Sequence, residues 1–161
     1  MRWKDKSPPA SPYITRKGYQ RLEQECKTLW EKRDEVRQAL SAAAAEGDRS
    51  ENAEYIYRKK QLREIDRRIT YLQQRMPALK IVATHATDKK VFFSARVELE
   101  DENGDSHTFR IVGSDEFDQT DNGVSIDSPL ARALLGKQID DEVQLKTDAG
   151  EKNYIIISIA Y

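Results

Sequence analysis

The sequence predicts an α+β protein in two parts, a long antiparallel helical hairpin followed by a small antiparallel sheet domain carrying one helix. Three observations predict it. Between Leu22 and Leu79 apolar residues recur at alternating spacings of four and three; from Ala95 onward turn signals and two-residue alternation replace that rhythm; and the two halves carry opposite charge.

The charge split sets the domain boundary. The whole chain of 161 residues has a net charge of −1, but residues 1–80 hold 19 Lys+Arg against 12 Asp+Glu, whereas residues 81–161 hold 8 against 16. Residues 1–80 are therefore read as a lead-in and hairpin, and residues 81–161 as the sheet domain. The basic half suits a nucleic acid or an acidic groove. With 34% charged and 38% hydrophobic residues, the apolar supply is thin for one compact core but adequate for a slender hairpin and a small sheet. No stretch approaches the roughly 20 apolar residues of a membrane span, so no membrane partner is expected. The start, MRWKDKSPPASPY, lacks the apolar segment of a secretory signal and reads as a disordered lead-in over about 1–13. Cys26 is the single cysteine, which fits a reducing cytoplasm.

Thr15 is a candidate N-cap for the first helix. Leu22, Cys26, Leu29, Val36, Leu40 and Ala43 form its heptad seam, with Arg33 at the missing position. Gly47 interrupts the pattern. A second seam comes after it, Tyr55, Leu62, Ile69 and Met76 on one line and Arg58, Ile65, Leu72 and Leu79 on the other. Each arm has about 30 residues, so at ~1.5 Å per residue the hairpin reaches about 45 Å. It is a probe rather than a core.

In the second half, Val91–Leu99 and His107–Val112 read as strands around a turn at Asp101–Asp105. Ser128–Gly136 is a short capped helix with Pro129 near its start and glycine at its end. Val143–Lys146 and Tyr154–Ala160 are two further strands around Asp148-Ala149-Gly150.

Chemistry should reside at the hairpin turn, where Glu46, Asp48, Glu51 and Glu54 crowd together. Asp48 and Glu51 are close enough in sequence to reach one hard cation. The same pair also matches a variant capping box, Asp48 as N-cap and Glu51 three residues on, and caps are the commoner use of such spacing. Two carboxylates are too few to hold Mg²⁺ tightly, because that ion keeps most of its waters and seeks further oxygen ligands. Any metal chemistry at the turn must therefore borrow ligands from a partner. Behind it, Arg58, Lys59, Lys60, Arg63, Arg67 and Arg68 form a basic stripe suited to a phosphate backbone, with nothing to suggest base-specific readout. A solvated helix face is the plain alternative.

These residues resemble a known family. Gly47–Tyr55 is similar to the tip signature of the Gre transcript-cleavage factors, and Tyr57–Lys60, Leu62–Arg68 and Leu29-Trp30 resemble the GreB subtype. Phe109–Gly113 and Ser125–Gly136 are similar to the family's FKBP-like domain. The likeness covers nearly all of the chain from Tyr13 onward; Gln61 departs from it where the subtype carries arginine, and the lead-in is longer than the family's. The resemblance implies a factor that binds bacterial RNA polymerase as a monomer, enters its secondary channel and stimulates the polymerase to cleave backtracked RNA. It is then no enzyme on its own. By the same resemblance Asp48 and Glu51 help position a second Mg²⁺ in the polymerase active centre, while Asn52, Ala53 and Tyr55 shape the tip. Arg58, Lys59, Lys60, Arg63 and Arg67 would hold the displaced 3′ segment of the nascent RNA, and the FKBP-like domain would dock at the channel rim.

Two other readings compete. A non-cleaving channel regulator would alter the tip acids or carry a cysteine-rich zinc finger, and this chain does neither. An FKBP-like prolyl isomerase or chaperone would need an aromatic cleft, for which Phe92, Phe93, Phe109 and Phe117 are the candidates, although such residues more often belong to a core. His85 and His107 have no ligand-spaced neighbours, Cys26 reads as a small buried hydrophobe, and Trp30 reads as packing.

Overall fold

The computed structural model describes residues 9–47, 52–83 and 89–161. The backbone divides into two units, Tyr19–Leu79 and a second made of Lys80–Tyr161 together with the chain up to Gly18.

The first unit is the hairpin. Helix α1 spans Arg16–Ala45 and helix α2 spans Ala53–Arg75. Their seam obeys the heptad reading. Val36, Ile65 and Ile69 form a buried cluster against which Leu29 and Leu62 pack, and Leu22, Ala43 and Leu72 are also buried. Ala43 lies near the turn, where a small side chain lets the helices approach. Arg33, the polar intruder on the seam, donates from Nε to Asp66 Oδ1 at 2.6 Å. Arg68 grips Glu25 with two bonds of 2.6 and 3.1 Å. These half-exposed pairs add at most about 1 kcal/mol each, but charges placed at fixed heights along a coiled coil select its register. The second arm has 23 residues rather than about 30. It begins only at Ala53 and yields to a 3₁₀ turn at Met76–Ala78, where Pro77 cannot donate to the helical ladder. Trp30 departs from the packing role expected of it: it is 44% exposed, with the Arg33 guanidinium 5.7 Å from its ring centre.

The second unit holds strands β1 (Tyr13–Ile14), β2 (Lys80–Ile81), β3 (Arg96–Glu100), β4 (Ser106–Val112), β5 (Gly123–Ser125), β6 (Glu142–Thr147) and β7 (Gly150–Ala160), with helix α3 at Pro129–Leu134. Five strands form one sheet in the order β5-β4-β3-β7-β6. It is antiparallel except for β5, which runs parallel to β4 and was not foreseen from the sequence because three residues carry too little pattern. Val97, Leu99, Ile111, Val143 and Ile156 turn one face toward Ala131 and Leu134 of α3 and bury it. Ser128 caps α3 by accepting from the Ala131 N–H, and Gly136 succeeds it at φ +79, a left-handed conformation that favours glycine. The strand expected to start at Val91 starts at Arg96 instead. Ser94 sits at φ +69 and the Ala95 N–H turns back to Phe92 O, so the apolar run over 91–95 makes a turn. At the β3–β4 turn Asp101 accepts from His107, Asp105 and Asn103, and these bonds, that of His107 foremost, hold its carboxyl below the usual range. His107, which reads as isolated in the sequence, thus pairs with Asp101 at the turn; His85 lies outside the described residues.

Residues 9–18 belong with this sheet unit, not with the hairpin module or a disordered lead-in. Hydrogen bonding is the reason. β1 pairs with β2, the Lys80 N–H reaches Pro12 O at 2.7 Å and the Val82 N–H reaches Ile14 O at 3.0 Å. Ser11 donates its N–H to Asp127 Oδ2 at 2.8 Å and its hydroxyl to Asp127 Oδ1. Ile14 is fully buried. Thr15 caps α1 as expected, its hydroxyl accepting from the Gly18 N–H at 3.0 Å. The carboxylate that completes a capping box comes from far along the chain: Glu116, only 3% exposed, accepts from the Thr15 N–H at 2.7 Å and the Thr15 hydroxyl at 2.5 Å. Residue 18 is glycine because a Cβ there would fall 2.7 Å from that carboxylate.

Candidate functional site

The tip is built by the way two helices end. Helix α1 stops at Ala45, the Glu46 N–H bonds back to Ala43 O at 3.3 Å, and Gly47 adopts φ +151. Asp48 and Glu51, the predicted catalytic and metal-positioning acids, lie outside the described residues, as do Arg49 and Ser50. Asn52, at φ −84 and ψ 100, is the N-cap of α2 and accepts from the Tyr55 N–H at 3.1 Å. Its amide also donates to Ala43 O at 2.7 Å, so one side chain caps the second helix and ties it to the last turn of the first.

This corrects the capping reading of Asp48. The N-cap of α2 is Asn52, and α2 begins five residues after Asp48 rather than directly behind it. Asparagine satisfies an N-terminal N–H as well as aspartate does and adds a donor that aspartate lacks, which gives the Ala43 carbonyl a second bond beside that from the Glu46 N–H.

The remaining predicted residues divide by neighbour. Ala53 is exposed in the first turn of α2, and Tyr55 is half-buried with the Lys59 ammonium 5.9 Å from its ring centre. Arg58 is engaged along its own helix: Nε donates to Glu54 at 2.9 Å, a terminal nitrogen donates to Gln61 at 3.0 Å, and the guanidinium lies 5.5 Å from the Tyr57 ring centre. Gln61, the departure from the family pattern, thus serves as an acceptor for Arg58. Lys60, Arg63 and Arg67 are exposed on the outward side of α2, at the heptad positions that point away from α1. Glu54 is paired with Arg58, and the described residues contain no group of three His, Cys, Asp or Glu that could hold a metal ion.

Of the four aromatic residues offered for an isomerase cleft, two pack against other groups and two are exposed. Phe109 packs against the sheet core, and Phe93 sets its ring 6.2 Å from that of Tyr13. Phe92 and Phe117 are 42% and 40% exposed.

Residues 12–81 match the family model described as transcription elongation factor, N-terminal, and residues 86–161 match its GreA/GreB C-terminal counterpart. The chain belongs to the GreA/GreB family of transcription elongation factors. Within it the chain is similar to the transcription elongation factor GreB of Haemophilus ducreyi, 56% identical over 153 residues and covering 94% of each chain. It is 52% identical to GreB of Xanthomonas axonopodis over 163 residues, covering 99% of this chain and 97% of that one. Among solved structures it is similar to the transcription factor Gfh1, with 24% identity, 94% of this chain and 99% of that chain covered, and a TM-score of 0.46. No helix among the described residues is long and apolar enough to cross a membrane.

In this Gre-family elongation factor two structural contributors escaped the sequence reading. The bridging role of Asn52 was hidden because its amide donor finds Ala43 only when the helices are paired. Glu116 was hidden because its partner is Thr15, 101 residues away. Replacing Asn52 by Ala should cost about 1 kcal/mol in lost capping and remove the tie between the two helices, leaving Ala43 O only its bond from the Glu46 N–H. Asn52→Asp should keep the cap and lose only the tie. Amide exchange would separate them: Tyr55 loses protection in Asn52→Ala and retains it in Asn52→Asp, and equal protection in both variants would remove the capping role.

Proposed function

We propose that this elongation factor enters the secondary channel of bacterial RNA polymerase tip first and stimulates the polymerase to cleave its own backtracked RNA. The carrying observation is that Asn52 is the cap of α2 and that α1, a helix of 30 residues about 45 Å long, leads up to the acidic turn. A probe of that length suits a deep and narrow entrance.

The chain's donor set fits a shared ion. Asp48 and Glu51 supply carboxylate oxygens suited to Mg²⁺, too few to hold it alone and enough to help position it among the polymerase's own carboxylates. A second magnesium, when bound, supplies activation of a water and charge stabilisation of the leaving oxygen of the phosphodiester. The chain's own part is to bring the two acids, with Asn52, Ala53 and Tyr55 setting the shape of the turn. Lys59, Lys60, Arg63 and Arg67 neutralise phosphates of the displaced RNA 3′ segment, while Arg58, held by Glu54 and Gln61, lends its charge from a fixed position. The sheet domain docks at the channel rim. The factor acts as a monomer in the cytoplasm, where the polymerase works, and has no nuclease activity of its own.

The test uses polymerase stalled and backtracked on a template, with end-labelled RNA and Mg²⁺. Rapid shortening of the RNA on adding the protein is expected, and none with the protein alone. Binding to the polymerase without any added cleavage would instead make this a non-cleaving channel regulator.

A further inference from the structure

The outward face of α2 carries more than cations. Tyr57 is 58% exposed, one helical turn behind the N-cap Asn52, and Ile56 beside it is 53% exposed. From Tyr57 the steps of three and four residues that stay on one helix face lead to Lys60, Arg63, Arg67 and Tyr71, all exposed. A single exposed aromatic residue needs no explanation. Here, however, the aromatic heads a row of cations, and its ring is held. Arg58 lies 5.5 Å from the ring centre and is fixed by Glu54 on one side and Gln61 on the other. Arg58 is thereby less available to bind phosphate and serves to set the Tyr57 ring.

A positive track with an aromatic ring at its head is what single-stranded nucleic acid requires. Phosphates take the cations, and a base, whatever its identity, stacks on the ring. Resting on the proposed entry of this hairpin toward backtracked RNA, we propose that Tyr57 is a stacking platform for a nucleobase of the extruded 3′ segment. Arg58 is its positioning residue, and Lys60, Arg63 and Arg67 receive the adjoining phosphates. The contact is indifferent to sequence, because every base has a stacking face, and it keeps the extruded strand beside the tip.

The test places 2-aminopurine in the extruded segment of a backtracked polymerase complex, since its emission falls when it stacks, and measures RNA cleavage in the same samples. The protein is added as wild type, Tyr57→Phe and Tyr57→Ala, with thermal melts to confirm that the exposed site leaves folding unchanged. Wild type and Tyr57→Phe should quench the probe. Tyr57→Ala should lose the quenching and need roughly tenfold more protein for half-maximal effect, in the range that losing one stacked base costs. Quenching by Tyr57→Ala equal to wild type overturns the proposal, as does a Tyr57→Phe variant as defective as Tyr57→Ala, which would assign the effect to the hydroxyl. Quenching without cleavage by wild type keeps the stacking contact and sinks the cleavage role, so the two failures are distinct.

Discussion

Asp48→Asn combined with Glu51→Gln is expected to abolish stimulated RNA cleavage while leaving polymerase binding intact. Both substitutions keep the size and polarity of the side chains and remove only the anionic oxygens, so the hairpin has no reason to unfold. On the proposed mechanism, what is lost is the charge that helps hold a cation at a developing phosphodiester transition state. Losing a preorganised electrostatic contact of this kind costs roughly a hundredfold or more in rate, and two are removed. The measurement is the rate of shortening of end-labelled RNA in backtracked complexes, with retention of the variant on polymerase monitored in parallel. Retained binding with near-basal cleavage is the expected pair of results. A variant that binds and cleaves like wild type would remove both acids from the mechanism. The single variants add a further check, because two ligands of one ion act as a unit and their separate losses should not add.

Gly113→Ala should have the largest effect on folding. Gly113 is buried where the chain entering α1 crosses the sheet unit, and a Cβ there would stand 2.1 Å from Tyr13 O and 3.2 Å from the Glu116 carboxylate. The first neighbour is backbone and cannot rotate away. Alanine must therefore displace the Tyr13–Ile14 strand, which exposes the fully buried Ile14 and breaks the paired bonds of Thr15 to Glu116. Losing the burial of one large aliphatic side chain and leaving buried hydrogen-bonding groups unsatisfied together cost about 3 kcal/mol or more. For a domain of this size that lowers the melting temperature by about 12 °C or more. Calorimetry would show the shift. Amide exchange would show its route, since the Lys80 and Val82 N–H groups bond to Pro12 and Ile14 and should lose protection first. An unchanged melting temperature would mean that the strand passes Gly113 with more room than these distances allow.

The hairpin was legible because its stabilising pattern is local in each arm. Val36, Ile65, Ile69 and Leu72 announce their burial by spacing alone, and their heptad rhythm requires a partner helix whatever the rest of the chain does. The helix α3 was legible for a related reason: Ser128, Pro129 and Gly136 are punctuation whose meaning is fixed by backbone chemistry. The basic row on α2 could likewise be counted from the sequence, as could the acids at the turn.

Other features were settled only by the folded backbone and the contacts it makes. The sequence offered Asp48 as the α2 cap, and the folded tip uses Asn52, because only paired helices bring Ala43 O within reach of an amide donor. The run Val91–Ala95 carries the composition of a strand, yet Ser94 at φ +69 turns it, and that backbone angle has no signature in a serine. Residues 9–13 read as the end of a lead-in because the two-residue strand Tyr13–Ile14 has no periodicity to detect; the partners Lys80, Ile81 and Asp127 are supplied by the sheet unit. Arg58 could be counted among the cations from the sequence, whereas its bonds to Glu54 and Gln61 and its place on the Tyr57 ring are seen in the folded helix. The sequence by itself thus determined the two modules, the hairpin and where its charges lie, since periodicity and charge order act along the chain. The tertiary structure decided which group ties the two helices at the tip and where the N-terminal segment belongs, since each depends on a hydrogen-bond partner that only folding brings near.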